Sequence, residues 1–349
     1  MTGDLPGLDL TAFRAWYDGQ RPGEITGDLT GELIAGGKSN LTYAVTDGSS
    51  DWIVRRPPLG HVQATAHDMG REFTAMSALA ATDVPVPAMY AHCADADVLG
   101  APFYVMEKVD GVAYRRAAEL DRLGPDRTTA LAGRLVEVLA ALHAVDPAAV
   151  GLADFGRPQG FLERQVRRWG RQLEGSKTRE HPDAEELHRR LTAQVAAVEA
   201  ADPSVVGIVH GDYRLDNCLV GTDGPGQDRI LAVVDWEMAT LGDTRTDVAL
   251  MLVYETLGAS AAGDLVSDVA KARGWPGNQQ QLAAYAAASG REPGDMGFHL
   301  ALAYFKLAVI LEGIHYRFLQ GQTVGEGFDR IGEGFDLIIA AGLHSLEES

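Results

Sequence analysis

Two apolar runs, each ending abruptly in a polar motif, constrain this chain more than any other feature. Val205-Val206-Gly207-Ile208-Val209 leads into His210-Gly211-Asp212-Tyr213-Arg214-Leu215-Asp216-Asn217. Ile230-Leu231-Ala232-Val233-Val234 leads into Asp235-Trp236-Glu237, eighteen residues after Asn217. Short runs rich in Val and Ile read as buried strands, so both motifs are delivered at strand ends. Two carboxylates and an amide placed this way suit phosphoryl transfer. One Asp accepts the proton of an attacking hydroxyl, and the Asn and second Asp offer hard oxygen ligands to a Mg²⁺ that bridges to phosphates. Asp212 is therefore the candidate base or hydroxyl-orienting group, with Asn217 and Asp235 as metal ligands. Alone, each has a plainer reading: a turn-forming Asp after Gly211, a loop cap, a strand-end turn.

The spacing from Asp212 to Asn217 equals that of the protein-kinase catalytic loop, although Gly211 stands where that motif has Arg. Together with Asp235-Trp236-Glu237 and Gly242-Asp243-Thr244-Arg245-Thr246-Asp247-Val248-Ala249, it resembles the aminoglycoside phosphotransferase/choline kinase family. The subgroup sometimes fused to acyl-CoA dehydrogenases is the most similar. Gly36-Gly37-Lys38-Ser39-Asn40, Phe103-Tyr104-Val105-Met106-Glu107 and Phe161-Leu162-Glu163-Arg164-Gln165 with Trp169 agree with it.

The resemblance implies an α+β, protein-kinase-like bilobal fold. A small antiparallel-sheet N-lobe (1–109) would bind ATP. A large helical C-lobe (110–349) would carry the catalytic loop and the acceptor site. It implies that Gly36, Gly37, Lys38 and Ser39 approach phosphates. Arg55 would pair with Glu72 and contact phosphates, in a place where kinase-like enzymes usually carry Lys, which lacks the planar fork of Arg. The Glu107 carbonyl and Val109 amide would hold adenine. His210 would brace the loop rather than react. Asp247 would accept backbone N–H groups of the loop or cap the helix that begins there. Thr244 stands where the family often has Pro.

Composition narrows the partners. The net charge of −19 argues against nucleic acid, which is bound through clustered Lys and Arg. ATP is also anionic, so Mg²⁺ and a few basic groups must reverse the field locally. Cys93 and Cys218 show no metal or redox spacing, which fits buried thiols in a reducing cytoplasm. The acidic segment Met1 to Leu10 has no signal-peptide pattern. The apolar segment Phe298 to Ile314 carries His299, Lys306 and Glu312, and so reads as a core helix rather than a membrane span.

Along the chain, Leu8 to Tyr17 is amphipathic. Strands are expected at Leu41 to Val45, Trp52 to Arg55 and Pro102 to Val109, and a helix at Asp68 to Ala80. Asp47-Gly48-Ser49-Ser50 is a turn, and Pro57-Pro58 ends its strand. Leu131, Leu135, Leu139 and Leu142 form one helical stripe; Leu187, Leu191, Val195 and Val198 form another.

The reaction expected is direct transfer of the γ-phosphoryl group to a hydroxyl of a small molecule, either a metabolic compound such as a hydroxyacyl thioester or an aminoglycoside. The acceptor would lie near Gln165, Arg168 and Trp169 and near Glu312, Tyr316 and Arg317. The plainer alternative is a core Trp169 with solvated charges. Two competitors come from other classes: a catalytically silent nucleotide-binding module, suggested by Arg55, and a non-haem iron site built on His210 and Asp212.

Overall fold

The computed structural model describes residues 5–34, 40–59, 68–202, 205–224, 227–259, 267–321 and 331–347, the side chains of 331 and 333 excepted. The chain divides into two compact units, 1–112 with 218–239, and 113–217 with 240–349.

The first unit is built on a five-stranded antiparallel sheet. Its strands are β1 (Thr30–Leu33), β2 (Leu41–Thr46), β3 (Asp51–Arg56), β4 (Met89–Cys93) and β5 (Phe103–Glu107), in the order β1-β2-β3-β5-β4. The turn between β2 and β3 is fixed by Asp47. Its Oδ1 accepts the Ser49 and Ser50 amides at 2.9 and 2.8 Å, and its Oδ2 accepts that of Thr26 at 2.7 Å. Gly48 takes φ +86°, which an L side chain resists.

The amphipathic segment forms α1 (Leu10–Gln20), capped by the Asp9 carboxylate, which accepts Thr11 N at 2.8 Å. It buries Phe13 and Tyr17 in one cluster with Tyr43, Trp52, Phe103 and Val105. Trp16 meets Phe103 edge-on at 4.7 Å. Asp68 caps α2 (Met69–Leu79), which turns Met69, Glu72, Ala75, Met76 and Leu79 inward. A charged residue on that otherwise apolar face is the first structural sign of a site.

The hairpin β7 (Cys218–Val220) and β8 (Ile230–Val233) belongs to this unit, not with 110–349 as the sequence reading placed it. Val112 exchanges backbone hydrogen bonds with Val220, and Val233 N donates to Pro85 O at 2.8 Å. Gly111 packs so closely on Leu219 that a Cβ would lie 3.0 Å from that side chain. These backbone pairings draw 218–239 out of the helical part of the chain.

The second unit is mainly helical, with one two-stranded antiparallel ribbon, β6 (Val206–Val209) and β9 (Thr240–Asp243). After the short α3 (Ala96–Leu99) of the first unit, its first two helices are α4 (Ala117–Asp121), and α5 (Pro125–Ala144), which buries the Leu131, Leu135, Leu139 and Leu142 stripe. Next come α6 (Phe161–Ser176) and α7 (Pro182–Ala201). α7 buries Leu187, Leu191 and Val195, whereas Val198 is half-buried. Then follow α8 (Arg245–Ala259), α9 (Asn278–Ser289), α10 (Gly297–Leu319) and α11 (Phe335–Ser345).

By length and composition α10 could cross a membrane, but 78% of its most apolar window is buried in the fold. The His, Lys and Glu of its apolar stretch are engaged internally. His299 Nε2 lies 2.9 Å from Asp243, Lys306 Nζ donates to Gly211 O, and Glu312 accepts from Thr178. This is the pattern of a core helix.

Candidate active site

In the second unit, β6 ends at Val209 and releases His210-Gly211-Asp212. Gly211 takes φ +84°, so the turn depends on glycine. Asp247, at the start of α8 and fully buried, anchors this turn. Its Oδ2 accepts His210 N at 2.7 Å and its Oδ1 accepts Gly211 N at 2.8 Å. His143 Nε2 lies 3.4 Å from Asp247 Oδ2, and His143 Nδ1 is bonded to Tyr285 OH at 2.8 Å. Burial works to raise the Asp247 carboxyl, but His143, His210 and the Gly211 amide outweigh it and hold it below the usual range. Of the two roles open to Asp247, it fills the first, accepting loop amides. His210 is fully buried, and its Nδ1 accepts Asp212 N at 3.2 Å, so that nitrogen is not presented to a metal.

Asp212 is held at both carboxylate oxygens. Tyr254 OH donates to Oδ1 at 2.9 Å, and Asn217 Nδ2 donates to Oδ2 at 3.1 Å. The Asn217 amide also donates to the Asp212 backbone oxygen at 2.8 Å. Spending Nδ2 on Asp212 leaves the Asn217 carbonyl oxygen as the part able to ligate a cation. Arg214 Nε lies 3.6 Å from Asp212, its Nη2 is 2.9 Å from Asp216, and its guanidinium sits 5.0 Å over the Tyr254 ring. Burial opposes ionisation of Asp212, but Arg214, Lys306 and Tyr254 prevail and lower its pKa. The carboxylate is thus a weak base that orients a hydroxyl well and is ionised at any physiological pH. Sequence reasoning missed Tyr254 and Lys306. Both lie in long apolar helices, and nothing in their local pattern separates them from core residues.

In the first unit, Arg55 on β3 pairs with Glu72 on α2 at 3.4 Å, as expected, and also with Asp235 at 2.5 Å. Glu72 is fully buried and takes Tyr104 OH at 3.0 Å and Asn40 Nδ2 at 3.4 Å. Burial is the main cause that raises the Glu72 carboxyl. Burial also works against the Arg55 charge, yet Tyr104, Glu72, Asp235 and Glu237 hold its pKa above the ordinary value. Asp235 adopts the left-handed conformation at φ +68°, uncommon for a non-glycine residue, just after β8. The Arg71 guanidinium donates to Ala239 O at 2.9 Å.

Gly36, Gly37, Lys38 and Ser39 lie outside the described residues. Glu107 ends β5, and its side chain accepts Ala88 N at 3.0 Å, while the Val109 carbonyl accepts Gly111 N at 3.1 Å.

The residues expected at the acceptor separate into two sets. Trp169 is buried, with the Arg168 guanidinium 5.1 Å and Lys306 Nζ 5.6 Å from its ring centre. Glu312 lies inside the fold, accepting Thr178 N at 2.6 Å and facing His181 Nε2 at 3.0 Å. Tyr316 and Arg317 are exposed. At the α-helical rise, Glu312 and Arg317 lie about 9 and about 16 Å along the axis from Lys306, the α10 residue that reaches the His210–Asp212 turn. Gln165 is half-buried.

The chain has known relatives. Residues 30–297 match the model of the phosphotransferase enzyme family. The chain belongs to that family, and its α+β fold is protein-kinase-like. A Ralstonia eutropha protein assigned to the aminoglycoside phosphotransferases is 32% identical, with a TM-score of 0.82 over 97% of this chain and 98% of that one. A Plasmodium vivax ethanolamine kinase shares the fold at 15% identity, with a TM-score of 0.59 over 97% of this chain and 86% of its own. Acyl-CoA dehydrogenase family member 10 of Mus musculus is 34% identical over 82% of this chain and 26% of its own length. Family member 11 of Rattus norvegicus is 31% identical over 91% and 41%. This chain therefore spans well under half the length of those relatives.

Proposed function

We propose that the protein transfers the γ-phosphoryl group of ATP to a hydroxyl of a small molecule, with Mg²⁺, in the cytoplasm. The observation that carries this reading is the Asp212 carboxylate, fixed by Tyr254 and Asn217 on a turn that Asp247 anchors. In the reaction, the acceptor O–H and the bond between the γ-phosphorus and its bridging oxygen break. A new O–P bond forms and ADP departs. The acceptor proton passes to Asp212 or, through it, to water. Asp212 orients the attacking oxygen, and catalysis is chiefly positioning and charge neutralisation.

The donors offered for the metal are the Asn217 carbonyl oxygen and the Asp235 carboxylate, hard oxygens that suit Mg²⁺. When bound, Mg²⁺ supplies charge neutralisation on the phosphates. Arg55, braced by Glu72, is proposed to contact phosphates. The segment containing Gly36, Gly37, Lys38 and Ser39 is proposed to cover them. The Glu107 carbonyl and Val109 amide are proposed to hold adenine.

For the acceptor, we favour a metabolic hydroxyl compound such as a hydroxyacyl thioester over an aminoglycoside. Arg168 and Trp169 are proposed to line its site, with Glu312 bracing the start of α7. A screen of hydroxyl metabolites for acceptor-dependent ADP release tests the reading. At least one acceptor should yield a phosphomonoester stoichiometric with ADP. Arg55 in place of the usual Lys favours a second reading, a nucleotide-binding module without turnover. Tight MgATP binding with no transfer to any acceptor would select it.

A further inference from the structure

Lys306 and Arg168 are cations with no carboxylate at salt-bridge distance among the described residues. Lys306 is half-buried on α10. Its Nζ donates to the Gly211 carbonyl at 2.5 Å and lies 5.6 Å from the centre of the Trp169 ring. The Arg168 guanidinium lies 5.1 Å from the same centre and is exposed to water. Their charges repel. Burial is the main cause that lowers the Lys306 pKa, and the positive charges of Arg168 and Arg214 add to it, against Asp212 and Asp247. Arg214 differs from both, being paired with Asp216 at 2.9 Å.

Two like charges gathered around one indole cost free energy that an apolar residue at 306 would avoid, and an anion between them would offset that cost. Few places in a chain of net charge −19 favour an anion. Lys306 bonds to the residue just before Asp212, which puts its ammonium beside the turn that carries that carboxylate.

We propose that Lys306 and Arg168 bind an anionic group of the acceptor, a carboxylate or a phosphate, so that the substrate is a hydroxylated anion rather than a polycation. This rests on the phosphotransferase reading and specifies its substrate class. The anion could be the carboxylate of a free hydroxy acid or a phosphate carried by its coenzyme A thioester.

The test compares acceptors of one carbon skeleton: hydroxycarboxylates, their coenzyme A thioesters, their neutral methyl esters, and amino alcohols. ADP release is measured with wild type, Arg168→Ala and Arg168→Glu. Anionic acceptors should exceed the neutral esters at least tenfold in kcat/KM. Arg168→Glu should remove at least tenfold of that preference through acceptor KM, with ATP KM unchanged. The ranking of free acid against thioester identifies the source of the anion.

Amino alcohols or aminoglycosides as best acceptors would overturn the proposal, as would equal losses on neutral and anionic acceptors. If no acceptor releases ADP, the phosphotransferase reading fails by itself. The anion site is then judged by calorimetric titration of a hydroxycarboxylate into protein loaded with a non-hydrolysable ATP analogue. Binding that Arg168→Glu abolishes supports the site, and no binding to wild type overturns it.

Discussion

Around Arg55, one buried cation gathers carboxylates; around Asp212, one carboxylate gathers donors and cations. In the first unit Arg55 meets Glu72 and Asp235, and Asn40 Nδ2 reaches both Glu72 and Glu237, at 3.4 and 3.5 Å. In the second, Asp212 meets Tyr254, Asn217 and Arg214. The difference lies in what each cluster leaves behind when its centre is removed. Without Arg55, Glu72 is a buried charge with no cation at salt-bridge distance among the described residues. Without the Asp212 carboxylate, Tyr254 and Arg214 are half-buried groups, and the buried Asn217 amide keeps its bond to the Asp212 backbone oxygen. The first cluster therefore couples stability to function, whereas the second is available to chemistry at little cost in folding.

The largest effect should come from Asp212→Asn, with kcat reduced about 10²–10⁴-fold and a melting temperature within about 2 °C of wild type. A variant that unfolds would break the comparison; one that remains active would remove Asp212 from the reaction.

Next comes Arg55→Ala, which strands Glu72 and should destabilise by about 3–5 kcal/mol. Adding Glu72→Gln should recover part of that loss. Denaturant titration of the single and double variants measures the coupling. Arg55→Lys should fall between, because one ammonium cannot bridge Glu72 and Asp235 as the fork does.

Asp235→Asn should weaken nucleotide binding about tenfold or more with Mg²⁺ and much less without it. Equal loss under both conditions would make Asp235 a partner of Arg55 alone.

Tyr254→Phe should lower kcat about tenfold with ATP KM unchanged. The sign of its pH effect follows from the hydrogen bond. The hydroxyl stabilises ionised Asp212, so its loss raises that pKa and moves the acid limb of the kcat profile to higher pH. An unmoved limb would show that Tyr254 only fills space.

The smallest effect should come from a buried carboxylate that has a donor but no cation. Glu255 bonds the Trp275 indole N–H, and burial pushes its carboxyl up to about 8. Its contribution to stability is complete below the unfolded pKa and is lost as pH rises towards 8, because only the unfolded chain ionises readily in that window. Glu255→Gln should therefore raise the melting temperature by a few degrees at pH 8 and hardly at all at pH 4.

Much of this was legible in the sequence because it rests on local pattern. Val205 to Val209 and Ile230 to Val234 read as strands from their apolar runs, and the leucine stripe of α5 from its period. That Asp247 accepts loop amides was one of the two roles the family resemblance implied for it. The pairing of Arg55 with Glu72 was also anticipated. What escaped were contacts made by one residue in an apolar helix. Tyr254 and Lys306 have the same flanks as core residues, and only tertiary packing turns them towards Asp212. The transfer of 218–239 to the first unit escaped for a similar reason: it depends on pairing Val112 with Val220, more than a hundred residues apart in sequence.

That pairing has a consequence for how the protein is made. The chain passes between the two units three times, after residues 112, 217 and 239. During synthesis the five-stranded sheet is translated early, yet the last part of its unit emerges only when residue 239 leaves the ribosome. At roughly 5–20 residues per second, a delay of several seconds separates the two events. The early sheet must wait with Gly111 and Val112 lacking their partner backbone, and a fragment ending at residue 112 should behave as an unfinished domain. The order of translation thus makes the hairpin that leads into Asp235 the closing step in assembling the first unit.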